Sequence, residues 1–337
     1  MISEMTMKNT SVSLTLPQAH HRAMTLRNPV MIASGTFGAD GYGDGLPSTA
    51  RFQDLGAVVA KTTTLHPRLG NPQPRMAQGW GWMLNSIGLA NPGIGAVLRE
   101  KAPLWSTWKV PVILSIAGER DREFGELAGM IEGTPGIAAI EVNVSCPNVE
   151  GGLDFAQSPH LAAQVTGLVK AATTLPVVVK LSPNVTDIAA IARAVADAGA
   201  DALTLVNTMV GMSIDPHNGR PVLGARRGGV SGPALKPVAL AAVYRVSDAV
   251  SLPLIGAGGI TTGEDALEFL LAGATAVQVG TANFADPEAA WRVLRGLSAL
   301  LRKRGAASLR DVVGAAHIRD APDAIPAVSA GAAAQRH

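Results

Sequence analysis

Cysteine is almost absent from this chain, because Cys146 is the single cysteine among 337 residues. One thiol excludes an internal disulfide framework and a cysteine-rich metal site. It is typical of proteins kept in a reducing compartment, and we therefore expect a cytoplasmic protein. Long apolar runs are also missing, since none reaches the roughly 18 to 20 uncharged residues that a membrane span needs. The N-terminus lacks the apolar segment of a signal peptide, so we predict no membrane association.

An excess of either charge is lacking as well, because 28 basic residues stand against 26 acidic ones. This balance gives no indication of a nucleic-acid-binding surface. The histidines show no spacing typical of metal ligands, so no metal site is predicted. Apolar residues, in contrast, make up 47% of the chain, which is enough for one large core. The length would allow two domains of about 150 residues, but α/β barrels often exceed this length as one domain.

Eight short runs rich in Val, Ile and Leu recur along the chain. They cover residues 30–34, 57–62, 110–117, 138–145, 176–182, 202–208, 252–259 and 276–282. Because apolar and polar residues do not alternate in them, they are typical of parallel strands buried on both faces. Helical patterns such as 186–200, 233–250 and 264–274 lie between most of them. The sequence therefore predicts an α/β fold, a (β/α)8 TIM barrel. A doubly wound sheet is the alternative, but its G-x-G-x-x-G fingerprint is missing.

Several boundaries can be predicted from local patterns. Thr261 and Glu264 have the spacing of a capping box, and "AGA" ends two helical patterns with a C-cap glycine. Two long segments, from about 62 to 110 and from about 208 to 252, are rich in Gly, Pro and Asn and are predicted active-site loops. Residues 11–16 alternate and are expected to pair with the segment before Asn28 as a hairpin that closes the barrel floor. We expect an N-terminal extension over 1–26, the barrel over 27–303, and a partly disordered tail over 304–337.

Polar residues collect where the predicted strands end. They include Ser34, Lys61, Thr62, Asn143, Ser145, Cys146, Lys180, Ser182, Asn207 and Thr208. Singly, each has an ordinary explanation, because a strand-end lysine is usually solvated and a lone cysteine is usually a small buried hydrophobe. Two lysines, several amides and a thiol on one rim exceed what packing requires. The C-terminal rim of a barrel is where active sites lie, so we expect one here.

Glycines after the last two predicted strands indicate what binds. Gly258, Gly259 and Gly280 precede or follow turns where backbone N–H groups could approach a phosphate, a frequent phosphate site in barrels. A helix predicted to begin near Thr262 would add the positive end of its dipole. Tight turns without a ligand are the alternative. Lys180 is placed to stabilise the negative edge of a reduced flavin, and Schiff-base chemistry is the competing use of such a lysine.

Six motifs together resemble the class 1 dihydroorotate dehydrogenases. They are "NVSCPNVEGG", "VKLSPNVTDI", "LVNTMVGM", "GGVSGPALKPVAL", "IGAGGI" and "VGTANFADP". The chain is most similar to the class 1B catalytic subunit, the NAD-linked type, from about residue 27 to about residue 300. The resemblance implies FMN-dependent oxidation of dihydroorotate to orotate in pyrimidine (UMP) biosynthesis.

The resemblance also implies the roles of individual residues. FMN would be bound by Ser34, Lys61, Thr62, Asn143, Lys180, Val206, Gly232, Gly258, Gly259, Gly280 and Thr281. The substrate would be bound by Lys61, Asn85, Ile87, Gly88, Leu89, Asn143, Asn148, Asn207 and Thr208. Cys146 would be the base that removes a proton from C5 while a hydride leaves C6, and Lys180 would assist at the flavin. Asparagines suit orotate because a neutral amide both donates and accepts hydrogen bonds. A thiol has an unperturbed pKa of about 8.5, so the reaction should quicken as pH rises.

The resemblance implies a partner as well. Class 1B chains form a heterotetramer, a homodimer of this subunit with an iron–sulfur flavoprotein that carries FAD and a 2Fe–2S cluster and passes electrons to NAD. One cysteine cannot ligate such a cluster, so a partner would have to supply it. The alternatives are a fumarate-linked class 1A enzyme and another flavin enzyme for dihydropyrimidines, such as dihydropyrimidine dehydrogenase or tRNA dihydrouridine synthase. A Schiff-base barrel and a barrel that only binds its ligand also remain open.

Overall fold

A computed structural model describes residues 12–14, 24–38, 40–42, 51–144 and 155–317. Its strands are β1 Val12–Leu14, β2 Met24–Leu26, β3 Val30–Ile32, β4 Ala57–Thr63, β5 Met76–Gly79, β6 Trp82–Asn85, β7 Val112–Ile116, β8 Ala139–Asn143, β9 Val177–Leu181, β10 Ala202–Leu205, β11 Met209–Gly211, β12 Ile214–Asp215, β13 Arg220–Pro221, β14 Gly228–Ser231, β15 Leu254–Ala257 and β16 Ala276–Val279. Its α-helices are α1 Ile94–Glu100, α2 Ala102–Trp105, α3 Asp121–Ile131, α4 Pro159–Ala172, α5 Ile188–Asp197, α6 Lys236–Ser247, α7 Gly263–Leu271, α8 Ala282–Ala285 and α9 Ala289–Lys303.

Eight parallel strands close into a barrel in the order β3, β4, β7, β8, β9, β10, β15, β16. These are the eight strands that the apolar runs predict, so the predicted TIM barrel is confirmed. Every residue of β7, β10, β15 and β16 is buried, which explains why the runs do not alternate apolar with polar. A large apolar cluster fills the space between strands and outer helices, and a smaller one fills the barrel interior.

The barrel floor is closed by an N-terminal hairpin. Strand β1 pairs with β2 in antiparallel register, with Val12 opposite Leu26. Met24 and Leu26 of β2 are buried in the interior cluster beside Met31 and Ile113 of the barrel. The predicted hairpin is therefore confirmed, and the buried apolar side chains of β2 close the lower end of the barrel interior.

The two long segments that follow β4 and β10 contain strands, which the prediction of loops missed. Strands β5 and β6 of the first segment and β11 and β14 of the second form one antiparallel sheet in the order β11, β14, β6, β5. Leu84 of β6 lies opposite Val230 of β14, so the segments meet each other directly. Strands β12 and β13 form a further short hairpin. The paired residues of β6 and β14 lie about 145 positions apart in sequence. Local sequence patterns could not predict such a pairing.

Two local predictions have different outcomes. The capping box of α7 is formed by Thr262 and Asp265, so the predicted pair of Thr261 and Glu264 is wrong by one residue. The Thr262 hydroxyl accepts from the Asp265 N–H at 3.1 Å, and the Asp265 carboxylate accepts from the Thr262 N–H at 2.9 Å. Gly199 and Gly273 follow α5 and α7 with φ of 95° and 112°, which confirms the predicted C-cap glycines.

The chain packs on the barrel beyond α9. Leu309 and Val312 are buried, and the Gly314 N–H donates to the Leu270 carbonyl of α7 at 2.9 Å. Residues 318–337, for which disorder is predicted, lie outside the described residues. Within the described ranges, no helix combines the length and apolarity that crossing a membrane would need.

Candidate active site

One cavity of about 580 Å³ opens among the C-terminal ends of the barrel strands, beside the four-stranded sheet. Seventeen of the nineteen predicted site residues line it: Ser34, Lys61, Thr62, Asn85, Ile87, Gly88, Leu89, Asn143, Lys180, Val206, Asn207, Thr208, Gly232, Gly258, Gly259, Gly280 and Thr281. The other two, Cys146 and Asn148, lie outside the described residues. Residues up to about 250 positions apart in sequence thus share one wall because parallel strands end at the same rim.

Glycines leave one side of the cavity without side chains. Gly259 has φ of 72°, and an added Cβ would lie 2.8 Å from the Lys236 nitrogen and 2.9 Å from the Gly232 oxygen. At Gly258, with φ of 130°, a Cβ would lie 2.9 Å from that of Ala239. Both positions therefore require glycine for conformation and for space. The exposed backbone can approach a ligand closely, which is the arrangement that holds phosphate in barrel enzymes.

A buried carboxylate that sequence reasoning missed lies inside the barrel. Glu141 of β8 is fully buried, and its Oε2 accepts from the Thr204 hydroxyl at 3.1 Å and from Gln278 Nε2 at 2.8 Å. Its Oε1 lies 3.8 Å from Lys180 Nζ. Glu141, Gln278 and Lys180 all line the cavity. The available signal was a glutamate in the middle of an otherwise apolar strand, which is costly unless the charge is paired.

Amide side chains form a second part of the wall. Asn207 Nδ2 donates to Asn143 Oδ1 at 3.1 Å, and the Thr208 N–H donates to Asn207 Oδ1 at 2.8 Å. Asn85, from the sheet beside the mouth, donates to the Gly229 carbonyl at 3.3 Å. These bonds fix the direction of each amide, so the cavity presents oriented donors and acceptors. Such a wall suits a small planar ligand that carries both kinds of group.

The turn from Ser86 to Leu89 is held in a strained shape. Gly88 and Leu89 have φ of 67° and 54°, and a Cβ on Gly88 would lie 2.3 Å from Asn71 Oδ1. Asn71 Nδ2 in turn donates to the Ser86 hydroxyl at 2.8 Å. A leucine at positive φ costs of order 1 kcal/mol or more, and such strain concentrates at binding sites. Ile87, Gly88 and Leu89 of this turn line the cavity.

Hydroxyl groups support the end of β4. The Ser34 hydroxyl donates to the Ala60 carbonyl at 2.9 Å, and the hydroxyls of Thr62 and Ser115 lie 2.9 Å apart. Tyr42, which the sequence analysis did not single out, donates to the Lys61 carbonyl at 2.5 Å. Burial raises the pKa of Tyr42 far above its usual value, against the opposing hydrogen bond with Thr63. Tyr42 therefore stays a neutral donor that fixes the backbone of Lys61.

Within the described part of the chain, no three His, Cys, Asp or Glu side chains are grouped as metal ligands. Among the described residues, the charged groups that line the cavity are Lys61, Arg75, Glu141 and Lys180. Arg75 is held by the carbonyls of Asn71 and Leu69, at 2.5 and 2.8 Å. The cavity wall thus carries three cations and one carboxylate, which suits an anionic ligand.

Comparison with known proteins points to one family. A family model described as dihydroorotate dehydrogenase matches residues 18–301. A protein of Geotalea daltonii named "Dihydroorotate dehydrogenase B (NAD(+)), catalytic subunit" is 50% identical over 294 residues, covering 87% of this chain and 95% of its own. Proteins of the same name from Desulforudis audaxviator and Geobacillus kaustophilus are 52% and 50% identical over 295 residues. They cover 87% and 86% of this chain, and 95% and 92% of their own.

Proposed function

The chain belongs to the dihydroorotate dehydrogenase family, as an NAD-linked class 1B catalytic subunit, and we propose on this premise that its cavity binds FMN and oxidises (S)-dihydroorotate to orotate. The reaction belongs to pyrimidine biosynthesis. The observation that carries the proposal is that all predicted site residues within the described ranges line one cavity. The motif resemblance is confirmed at the level of family and class.

The cavity fits a phosphorylated flavin at both of its ends. Gly232, Gly258, Gly259 and Gly280 leave backbone open where a ribityl-phosphate would lie, and Thr281 adds a hydroxyl. At the other end, Lys180 contributes an ammonium beside buried Glu141. A bound flavin would supply the acceptor for the hydride that leaves C6 of the substrate. Lys180 would stabilise the negative charge that arises there, because a fixed cation in a dry site requires no reorganisation.

The amide wall supports binding of the pyrimidine. Hydrogen bonds orient three amides of this wall, because Asn85 donates to the Gly229 carbonyl, and Asn207 donates to Asn143 and accepts from the Thr208 N–H. Since an amide both donates and accepts, these side chains would bond the ring amides and carboxylate of dihydroorotate, together with Thr208, Asn148 and Lys61. The strained turn at Ile87, Gly88 and Leu89 adds backbone groups. Orientation by fixed groups brings the C5 and C6 hydrogens to the groups that remove them.

Cys146 is the base in this proposal. It lies two residues after Val144, the last described residue after β8. A thiol at that position in the sequence is close along the chain to Asn143, a substrate-binding residue in the same proposal. It would accept the proton from C5 as a thiolate, which explains the expected acceleration at higher pH.

The route to NAD requires a second subunit. The relatives are named as catalytic subunits of an NAD-linked enzyme, which implies a further subunit for electron transfer. This chain has one cysteine and cannot hold a 2Fe–2S cluster by itself. We therefore assign FAD and the cluster to an iron–sulfur flavoprotein that joins a homodimer of this chain in a heterotetramer.

Steady-state turnover with a substrate panel tests the proposed reaction. The purified chain is supplied with an artificial redox dye and with dihydroorotate, dihydrouracil or dihydrothymine. We expect dye reduction with dihydroorotate, in step with orotate formed, and at least about a hundredfold lower kcat/KM with the two bases that lack the carboxylate. Preference for a base without the carboxylate would contradict dihydroorotate as the substrate. Dye reduction without orotate would exclude the reaction.

A further inference from the structure

Glu141 is the one acidic residue among the described residues that line the cavity, and the proposed mechanism gives it no role. Glu141 is almost completely buried, with Oε1 buried and Oε2 in buried hydrogen bonds. Burying a carboxylate is costly unless its charge is balanced and its oxygens are bonded. An apolar residue would fill this strand position at lower cost, so the charge itself needs an explanation.

The two oxygens of Glu141 have different surroundings. Oε2 accepts from Thr204 and Gln278, which hold the carboxylate against the barrel interior. Oε1 has no hydrogen-bond partner among the described residues, and its nearest opposite charge is Lys180 Nζ at 3.8 Å. That separation gives charge attraction without a close hydrogen bond. The ammonium therefore keeps its N–H donors for a ligand in the cavity.

The backbone fixes this geometry. Strands β8 and β9 pair in parallel, with Asn143 opposite Lys180, so Glu141 and Lys180 project from neighbouring strands into the same barrel. The side chain of Lys180 is 11% exposed and that of Glu141 is 1% exposed. Charges interact more strongly in such a buried environment than in water, and both charges also act on a ligand in the cavity.

We propose that Glu141 is a positioning residue that balances the charge of Lys180 and thereby would lower the reduction potential of a flavin bound in this cavity. This inference rests on the proposed function and adds a residue to it. Lys180 alone favours the reduced, negatively charged flavin, which would then give up its electrons less readily. The carboxylate offsets part of that effect and keeps the reduced flavin able to pass electrons toward NAD, an acceptor of low potential.

Neutralising the carboxylate without changing its shape tests the proposal. The variant Glu141→Gln is compared with the wild type by equilibrating the flavin with a reference dye. We expect the equilibrium constant for flavin reduction to increase about tenfold, which for two electrons corresponds to about 30 mV. The variant Lys180→Met should change it in the opposite direction. A Glu141→Gln flavin that is unchanged, or harder to reduce, would contradict the inference.

A second buried ion pair provides the matched control. Asp201 accepts from Lys170 Nζ at 2.7 Å, and their side chains are 2% and 9% exposed, but neither lines the cavity. The variant Asp201→Asn should lower the melting temperature and leave the flavin equilibrium within about twofold. If Asp201→Asn changes the flavin potential as much as Glu141→Gln does, the effect reflects general destabilisation and the inference fails.

The double variant Glu141→Gln with Lys180→Met removes both charges and guards against misfolding of a single variant. Its flavin should be easier to reduce than that of Lys180→Met alone, because the carboxylate is gone. An equal potential in these two proteins would also refute a role for the Glu141 charge. A wild-type chain that binds no flavin would overturn the proposed function and this inference together. A flavin whose reduction potential does not change in Glu141→Gln would overturn the inference alone.

Discussion

At the scale of single residues, the site combines features that sequence can and cannot reveal. Lysines and asparagines at strand ends were predictable because parallel strands deliver their C-terminal residues to one rim. Glu141 was not, because its charge lies inside a strand and has meaning only beside Lys180, Thr204 and Gln278. Tyr42 was missed because it reaches the rim from a separate loop.

The first prediction concerns the proposed base. We expect Cys146→Ala to retain FMN and to bind orotate, while anaerobic flavin reduction by dihydroorotate slows about a hundredfold or more, the usual contribution of a general base. Stopped-flow absorbance between about pH 6 and pH 9 measures this. Wild-type reduction should quicken with pH in that range. A variant that matches the wild type throughout would remove Cys146 from the role.

The second prediction concerns the phosphate end of the cavity. Gly259→Ala should weaken FMN binding at least tenfold, because the new Cβ would lie within 3 Å of the Lys236 nitrogen and the Gly232 oxygen. Gly305→Ala is the control, since Gly305 has a similar φ of 69° but no atom within 4 Å of an added Cβ. Equilibrium dialysis of FMN distinguishes the two. Equal loss of affinity in both variants would attribute the effect to backbone strain.

At the scale of elements, the barrel strands were predictable and the sheet beside the mouth was not. A strand buried on both faces leaves an apolar run, but β6 and β14 lie in segments rich in Gly, Pro and Asn, and their pairing joins distant parts of the sequence. The start of α7 shifted by one residue because Asp265 accepts from Thr261 and Thr262 and donates its own N–H to Thr262. Two threonines and two acids in succession give the sequence more than one possible capping box.

The third prediction concerns the contact between α6 and α7. Lys236 Nζ lies 2.7 Å from Asp265 and 3.0 Å from Glu268. Burial alone would raise the pKa of Asp265, but hydrogen bonds from Lys236, Thr261 and Thr262 prevail and lower it to about 2. Its contribution to stability is therefore present above the unfolded pKa of about 4 and is lost as pH falls toward 2. Hydrogen bonds with Asp265 raise the pKa of Lys236, whose contribution is lost only at strongly alkaline pH.

Asp265→Asn should lower the free energy of unfolding by about 1 to 2 kcal/mol at pH 7, and the difference from wild type should shrink as pH falls from 4 toward 2. Urea denaturation at several pH values measures it. Asp311 has the same position in the capping box of the 3-10 helix Leu309–Asp311, without a lysine partner in the described residues, so Asp311→Asn is the control. A pH-independent difference for Asp265→Asn would contradict the assigned ion pair.

At the scale of the whole molecule, the chain forms one barrel whose cavity lies at the C-terminal ends of its strands. The family and the class were recognisable from six motifs, and each of them contributes at least one described residue to the cavity wall. The proposed electron-transfer partner rests on resemblance alone, since no residue of this chain demands NAD. The cysteine content adds one physical limit, because a single cysteine cannot ligate a 2Fe–2S cluster.

The fourth prediction concerns that partner. The chain purified alone should reduce an artificial dye with dihydroorotate but reduce NAD at least a hundredfold more slowly than the complex formed by co-expression with a flavoprotein subunit that carries FAD and a 2Fe–2S cluster. NADH formation measures both. Efficient NAD reduction by the isolated chain would exclude the need for a relay, and efficient reoxidation by fumarate would favour a class 1A acceptor.

The proposed oxidation of dihydroorotate by a flavin bound in this cavity is tested most directly by a single half-reaction. The chain is purified alone, its flavin is identified as FMN, and dihydroorotate is added in the absence of oxygen while the flavin absorbance is followed. We expect the flavin absorbance to bleach, with one orotate formed for each flavin reduced. A flavin that dihydroorotate leaves oxidised would contradict the assignment of this cavity to dihydroorotate oxidation.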